Sequence, residues 1–135
     1  MALLLDADYE RLREAGLSFE EDEERRFLVF TSVQLEKDLY TAETCDVLVV
    51  VPPNYPQAGN DMFWTDPPLR RRDGAAVPMM MEPGGSDNRM WKGREFCRWS
   101  RHWNPPLPGV WRPGRDDVAS IYRRVEWALR YPDCQ

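Results

Sequence analysis

An uninterrupted apolar run in the middle of the chain, Val47 to Val51, constrains the fold more than any other stretch. Because no polar side chains alternate with the apolar ones, the run predicts a central β-strand that is covered on both faces. Pro52 and Pro53 follow immediately, and proline has no backbone N–H to donate to a neighbouring strand. The predicted strand therefore ends at Val51, where the chain must leave the sheet.

Helices and further strands are predicted on either side of this run. Apolar residues at spacings of three and four predict an amphipathic helix over residues 3–15 and a second helix near the end of the chain. The second helix begins at Asp116 or Asp117, because acidic side chains favour a helix N-terminus. Residues 27–35 and 62–65 are rich in β-branched and aromatic side chains and predict two more strands.

Two segments between these elements are predicted to be irregular. Residues 70–92 contain several glycines and prolines, and loops of about twenty residues in compact domains are often functional. Residues 96–117 hold the only histidine, and their prolines argue against a long helix or a central strand. The order of helix, antiparallel meander, irregular segment and helix indicates one α+β domain over residues 1–135.

Composition excludes several classes of function. The net charge of −5 argues against nucleic acid as the main partner, because phosphate binding needs a basic surface. Acidic side chains crowd into Glu20 to Glu24, which we expect to form a solvated edge strand or hairpin connection. No apolar run approaches the roughly 18 residues of a membrane span. Three scattered cysteines and one histidine argue against a disulfide framework or a zinc site. We therefore expect a cytoplasmic protein without membrane contact, metal or cofactor.

Cys97 is the residue of greatest chemical interest in the second irregular segment. From the residues alone it is either a thiol nucleophile or a small buried apolar side chain. Arg94, Arg98 and Arg101 are its neighbours in sequence, and positive charge close to a thiol lowers the thiol pKa. We expect Cys45, at the entrance of the central strand, to be structural.

His102 also has two interpretations. It could act as a general base near neutral pH, or it could hold its loop by hydrogen bonding. The supporting role is favoured, because Trp99 and Trp103 lie beside it in sequence and indicate packing. Asp116 and Asp117 are interpreted mainly as helix-start residues, with deprotonation of an incoming lysine as the alternative.

Five short motifs follow one another in the order and spacing of a known family. They are Val47–Pro56, Asp61–Trp64, Gly93–Cys97, Trp99–His102 and Trp111–Pro113. The first contains a strand that ends in proline and a Tyr-Pro pair, the third a glycine followed by a cysteine, and the last a Trp-x-Pro before a helix. Together they resemble the ubiquitin-conjugating enzyme fold, and specifically its prokaryotic branch, family E. The resemblance covers roughly residues 3–131.

The resemblance implies acyl transfer through a cysteine thioester. Cys97 would accept a ubiquitin-like protein from an activating enzyme and pass it to an amine. Asn88, nine residues earlier, would stabilise the oxyanion of the tetrahedral intermediate, although a turn role after Gly84 and Gly85 is the favoured alternative. The prokaryotic branch is associated with operons that also encode an activating enzyme and a deubiquitinase-like protease, some of which serve phage defence.

The chain departs from the family pattern at three places. The His-Pro that precedes the asparagine in eukaryotic enzymes is missing before Asn88. The stretch from Cys97 to Trp111 is longer than usual, so that residues 103–105 compete with residues 111–113 for the Trp-x-Pro assignment. The chain ends soon after the second predicted helix, so we expect none of the additional C-terminal helices of larger members. Two other functions therefore stay open: an inactive variant of the fold that binds a ubiquitin-like or activating partner, and an adaptor unrelated to ubiquitin.

Overall fold

The computed structural model describes residues 2–103 and 110–134. Across these residues, two helices flank one antiparallel sheet in which the strands are ordered β1-β2-β3-β4-β6-β5. The elements in chain order are α1 (Asp6–Glu14), β1 (Phe19–Asp22), β2 (Phe27–Gln34), β3 (Thr44–Val50), β4 (Phe63–Asp66), β5 (Arg89–Trp91), β6 (Arg94–Trp99) and α2 (Val118–Arg130). The predicted α+β class is confirmed, and the first four strands form the predicted meander.

Strand β3 lies inside the sheet and is covered on both faces, as its apolar run predicts. Val47 and Val49 belong to a large apolar cluster that includes side chains of both helices. Leu48 points the other way, into a second cluster with Trp64 and Phe96. Alternate side chains of β3 therefore pack into two different apolar clusters, one on each face of the sheet. For this reason the run contains no polar residue.

Helix α2 begins where its acidic residues predict. The Asp117 side chain accepts hydrogen bonds from the backbone N–H groups of Ala119 (2.9 Å) and Ser120 (3.3 Å), which caps the helix. The side chains that face the large cluster recur at spacings of three and four; they are Val118, Ile121, Val125 and Leu129. Neither helix in the described part of the chain is long and apolar enough to cross a membrane.

Two predictions about the strands are wrong. The segment that begins at Phe96 was expected to be irregular because of its prolines, but residues 94–99 form β6, which lies between β4 and β5. The reason is that the first proline of this segment is Pro105, several residues beyond the strand. The predicted loop over residues 70–92 also ends in a strand, β5. The segment 104–109, including part of the alternative Trp-x-Pro motif, lies outside the described residues.

The edges of the sheet approach each other because the sheet curls. Lys92, just after β5, pairs with Glu20 of β1 at 2.9 Å. Trp91 of β5 donates its indole N–H to Asp22 of β1 at 3.1 Å. Residues 20–22 of the acidic patch therefore belong to an edge strand, as expected. The carboxylates of Glu20 and Asp22 bind side chains at the opposite edge of the sheet.

One buried carboxylate joins the two helices to the loop that follows β3. Asp8 is only 2% exposed. One of its oxygens accepts hydrogen bonds from the backbone N–H of Leu5 (3.0 Å) and from the Tyr55 hydroxyl (2.9 Å). The other accepts from the backbone N–H of Val118 at 3.2 Å. Because three donors from three segments meet at this carboxylate, its removal leaves several buried polar groups unpaired.

We expect Asp8→Ala to lower the free energy of unfolding by about 2–4 kcal/mol, because it leaves these donors unsatisfied in a buried site. Denaturant titration followed by tryptophan fluorescence measures this change. Asp38→Ala, at an exposed position, is the matched control and should change stability by less than about 0.5 kcal/mol. Equal effects of the two substitutions would contradict the role given to Asp8.

Candidate functional site

Cys97 lies in the middle of β6, with its side chain fully buried. Its exposed fraction is 0%, and it pairs across the sheet with Thr65 of β4, which is also 0% exposed. The Thr65 hydroxyl has no hydrogen-bond partner among the described residues. Because side chains alternate along a strand, Cys97 shares its face of the sheet with Glu95 and Trp99.

A short turn, residues 82–88, is attached to β6 and to its neighbours beside Cys97; we call it the cover turn. Glu95 accepts a hydrogen bond from the backbone N–H of Gly84 at 2.8 Å. Trp64 of β4 donates its indole N–H to the backbone carbonyl of Asp87 at 2.9 Å. The ion pair between Arg98 and Asp87 adds a third attachment. Glu95 lies on the same face of the sheet as Cys97, whereas Trp64 and Arg98 lie on the opposite face, so these bonds attach the cover turn to both faces beside Cys97.

Asn88, at the end of the cover turn, contacts both the turn and the thiol. Its side-chain amide nitrogen lies 2.9 Å from the backbone carbonyl of Glu82, 3.1 Å from a carboxylate oxygen of Glu95 and 3.7 Å from Cys97 Sγ. Its amide oxygen accepts a hydrogen bond from the backbone N–H of Arg98 at 2.9 Å. The two interpretations of Asn88 are thus compatible, since the residue stabilises a turn and also stands beside the sulfur.

The environment of Cys97 favours the neutral thiol. Burial raises the pKa of Cys97 to about 11, and the negative charges of Glu95 and Glu82 act in the same direction. The positive charge of Arg70 opposes them, but it does not outweigh burial. In this arrangement Cys97 therefore holds its proton at neutral pH.

The three arginines expected to lower the thiol pKa are engaged elsewhere. Arg94 forms ion pairs with Asp46 (2.6 Å) and Asp66 (2.7 Å). Arg98 is the next residue after Cys97 in β6, so its side chain projects from the opposite face of the sheet. There it pairs with Asp87. Proximity in sequence therefore does not place these charges at the sulfur, and the arginines do not give the lowered thiol pKa that positive charge close to a thiol would produce.

Arg101 shows the same difference between position in sequence and position in space. It is only 4% exposed, and its guanidinium donates to the backbone carbonyls of Pro78 (3.1 Å) and Pro132 (2.8 Å). Burial lowers the pKa of Arg101. These contacts connect β6 with the segment after α2, which is a structural role.

His102 forms a separate hydrogen-bonded chain on the surface. Its Nδ1 lies 3.1 Å from an Asp61 carboxylate oxygen, and its Nε2 lies 3.0 Å from the Ser100 hydroxyl. The other Asp61 oxygen accepts from the backbone N–H of Trp103 at 3.3 Å. Within the described residues no hydrogen bond connects His102 with Cys97. These contacts are of the kind that the supporting interpretation requires, and a role of His102 as a base stays a prediction.

The carboxylates at the start of α2 are also engaged. Asp116 accepts from the backbone N–H of Arg112 at 2.8 Å and pairs with Arg124 at 3.4 Å. Asp117 caps the helix and pairs with Arg11 at 3.1 Å. Both contacts agree with the interpretation of these residues as helix-start residues.

Sequence reasoning did not identify Glu95 as part of this site. The residue lies two positions before Cys97, and in a strand this spacing places both side chains on one face. Because residues 96–117 were predicted to be irregular, the alternation was not applied there. Among the described residues, no group of three or more histidine, cysteine, aspartate or glutamate side chains could hold a metal ion.

Comparison with known proteins gives one match. A family model described as prokaryotic E2 family E matches residues 4–131, which include both helices, all described strands and the Cys97 site. Searches of curated proteins and of solved structures returned no match.

The raised pKa of Cys97 predicts a specific dependence of stability on pH. The folded state favours the protonated thiol, so this contribution to stability is complete below the ordinary thiol pKa of 9.0 and is lost as the pH rises through about 11. In Cys97→Ala the contribution is absent. Between about pH 8 and pH 11 the free energy of unfolding should therefore fall less in Cys97→Ala than in the wild type. The difference between the two decreases should be about 2 kcal/mol.

Denaturant titrations at several pH values measure this difference. Cys134→Ala is the matched control, because Cys134 is exposed, and its curve should run parallel to that of the wild type. Parallel curves for Cys97→Ala as well would show that burial does not raise the pKa of this thiol.

Proposed function

We propose that this chain, which belongs to prokaryotic E2 family E, accepts a ubiquitin-like protein from an activating enzyme as a thioester on Cys97 and passes it to an amine. The observation that carries the proposal is the position of the Asn88 side-chain amide, 3.7 Å from Cys97 Sγ. A thiol with an amide donor beside it is the minimum that acyl transfer through a tetrahedral intermediate requires.

The first step transfers the acyl group from one sulfur to another. The Cys97 thiol first loses its proton to solvent, and the thiolate then attacks the carbonyl carbon of the thioester on the activating enzyme, so that an oxyanion forms. The Asn88 amide donates a hydrogen bond to that oxyanion. The intermediate collapses when the carbon–sulfur bond to the activating enzyme breaks, and the thiolate of that enzyme leaves.

The second step forms the product. A neutral amine attacks the carbonyl carbon of the Cys97 thioester, and the Asn88 amide again faces the oxyanion. The nitrogen loses a proton to solvent or to a base on the target, and the Cys97 thiolate leaves. The product is an amide between the modifier and the target, and Cys97 is ready for another cycle.

The family supports partners of two general kinds, ubiquitin-like proteins and their activating enzymes. We extend this to a bacterial pathway in the cytoplasm, where cysteines remain reduced. Cys45, Cys97 and Cys134 are all free thiols. A deubiquitinase-like protease in the same pathway and a role in phage defence are parts of the proposal that the neighbouring genes would test.

A second candidate function is favoured by one observation. Cys97 is fully buried, and its pKa is raised to about 11, which is the opposite of an exposed and activated nucleophile. The alternative is a non-catalytic member of the fold that binds a ubiquitin-like protein or an activating enzyme. In that case partner binding would survive Cys97→Ala, and the wild type would form no thioester under any condition.

A thioester assay tests the first function against the second. The purified chain is incubated with the modifier and the activating enzyme encoded beside it, together with ATP, and the products are separated with and without reductant. We expect an adduct that reductant removes, that is lost in Cys97→Ala and that persists in Cys45→Ala and Cys134→Ala. An adduct that persists in Cys97→Ala would exclude Cys97 as the acceptor.

Asn88→Ala tests the proposed oxyanion donor. Loss of one such donor typically slows the chemical step by about 10²–10³-fold. We therefore expect the single-turnover transfer from Cys97 to a small amine to slow by about 10²-fold in a chain that still folds. Ser86→Ala, at an exposed position in the same turn, is the control. Equal rates for wild type and Asn88→Ala would remove Asn88 from the mechanism.

A further inference from the structure

We propose that Glu95 is a positioning residue that latches the cover turn, residues 82–88, over Cys97, and that the thiol becomes reactive when this latch opens. The inference rests on the proposed function for its biological meaning, because only a reacting thiol needs a cover that opens. Its physical content, the access to one sulfur atom, stands independently of any partner.

The geometry of Glu95 suits a latch. A single carboxylate oxygen accepts hydrogen bonds from the backbone N–H of Gly84 (2.8 Å) and from the side-chain amide of Asn88 (3.1 Å). Gly84 lies near the start of the cover turn and Asn88 lies at its end. One atom therefore holds the turn at both Gly84 and Asn88, and it is attached to the same face of β6 as Cys97.

Glu95 is also charged at neutral pH. Hydrogen bonds from Gly84 and Asn88 lower its pKa. Hydrogen bonds to an ionised acceptor are stronger than those between neutral groups. The latch is therefore a charge-assisted attachment in a turn that contributes no apolar side chain to either core.

The other attachments of the cover turn are an exposed ion pair, the ion pair of Arg98 with Asp87 and the partly buried hydrogen bond from the Trp64 indole to the Asp87 carbonyl. Arg70 and Glu82 form an ion pair in which both side chains are at least half exposed. No residue of the cover turn belongs to the two apolar clusters or packs against them. Exposed ion pairs contribute little to stability, so the turn can open without disrupting the cores.

Opening would change the thiol in two ways. It would admit water to Cys97 and so reduce the burial that raises the pKa of this residue. It would also move Glu82, whose negative charge acts in the same direction, away from the sulfur, while Asn88 stays beside Cys97 through the hydrogen bond that its amide oxygen accepts from the backbone N–H of Arg98 (2.9 Å). Both changes favour the thiolate, so access and activation are coupled in one movement.

Alkylation with iodoacetamide tests the latch in the full chain without any partner. Peptide mass spectrometry follows the three cysteines separately. Exposed Cys134 reports the intrinsic reaction, buried Cys45 reports global unfolding, and Cys97 reports opening of the cover turn. In the wild type we expect Cys97 to react at least about 100-fold more slowly than Cys134, because an opening equilibrium precedes the reaction.

Three variants distinguish the latch from a general loss of stability. Glu95→Ala removes the acceptor and should speed alkylation of Cys97 by about 10-fold or more while Cys45 stays protected. Glu95→Gln keeps a neutral acceptor, and its rate should lie between those of Glu95→Ala and the wild type. Glu36→Ala, which removes an exposed pair with Arg130, is the matched control and should leave the Cys97 rate unchanged.

The pH profile of alkylation separates positioning from simple support. Both Glu95→Ala and Glu95→Gln remove a negative charge beside the sulfur, but only Glu95→Ala also removes the acceptor, so the midpoint for Cys97 should lie at lower pH in Glu95→Ala than in Glu95→Gln. Glu36→Ala should not move it. Wild-type rates in Glu95→Ala, or equal acceleration of Cys45 and Cys97, would overturn the latch.

Failure of this inference and failure of the proposed function give different results. A wild-type Cys97 that alkylates as fast as Cys134 would overturn the latch, whether or not the chain forms a thioester. A Cys97 that is released in Glu95→Ala, in a chain that never forms a thioester, would support the latch and overturn the catalytic proposal.

Discussion

The burial of one thiol within the sheet is the constraint on which the rest of the candidate site depends. Cys97 is buried because β6 lies between two other strands and because the cover turn is bonded to it. Burial raises the pKa of Cys97 to about 11. The cover turn also places the Asn88 side-chain amide 3.7 Å from the sulfur. The same arrangement therefore places an oxyanion donor beside the sulfur and keeps the thiol buried and protonated. Acyl transfer through Cys97 has to accommodate both features.

The helices and the sheet are firmly connected to one another, whereas the cover turn is attached more weakly. Asp8 joins both helices and the Tyr55 hydroxyl through three hydrogen bonds that are buried or partly buried. Trp111 donates its indole N–H to the carbonyl of Pro56 at 2.8 Å and packs so closely on Gly59 that a Cβ there would lie 2.1 Å from its ring. The cover turn has mainly polar attachments, and the Met81 side chain that packs on its Gly85 lies outside both apolar clusters. This difference allows local opening at Cys97 while the sheet and helices remain in place.

Sequence reasoning predicted those parts of the fold that depend on short-range patterns. The apolar run at residues 47–51 predicted a strand covered on both faces, and Asp117 predicted the start of α2. The family was identified from the order of its motifs. β6 was missed because prolines further along the segment were given more weight than Phe96 and Trp99, which favour strands. The surroundings of Cys97 were missed because the directions of arginine side chains depend on strand pairing, which is a long-range property.

The most direct test of the central claim is to map the link in the adduct that the wild-type chain forms with its modifier and activating enzyme. After proteolysis without reductant, mass spectrometry identifies the peptide of this chain that carries the C-terminus of the modifier. We expect a thioester-linked peptide that contains Cys97 and that releases its modifier fragment when reductant is added. A link at Cys45, at Cys134 or at a lysine, with Cys97 unmodified, would contradict acyl transfer through Cys97.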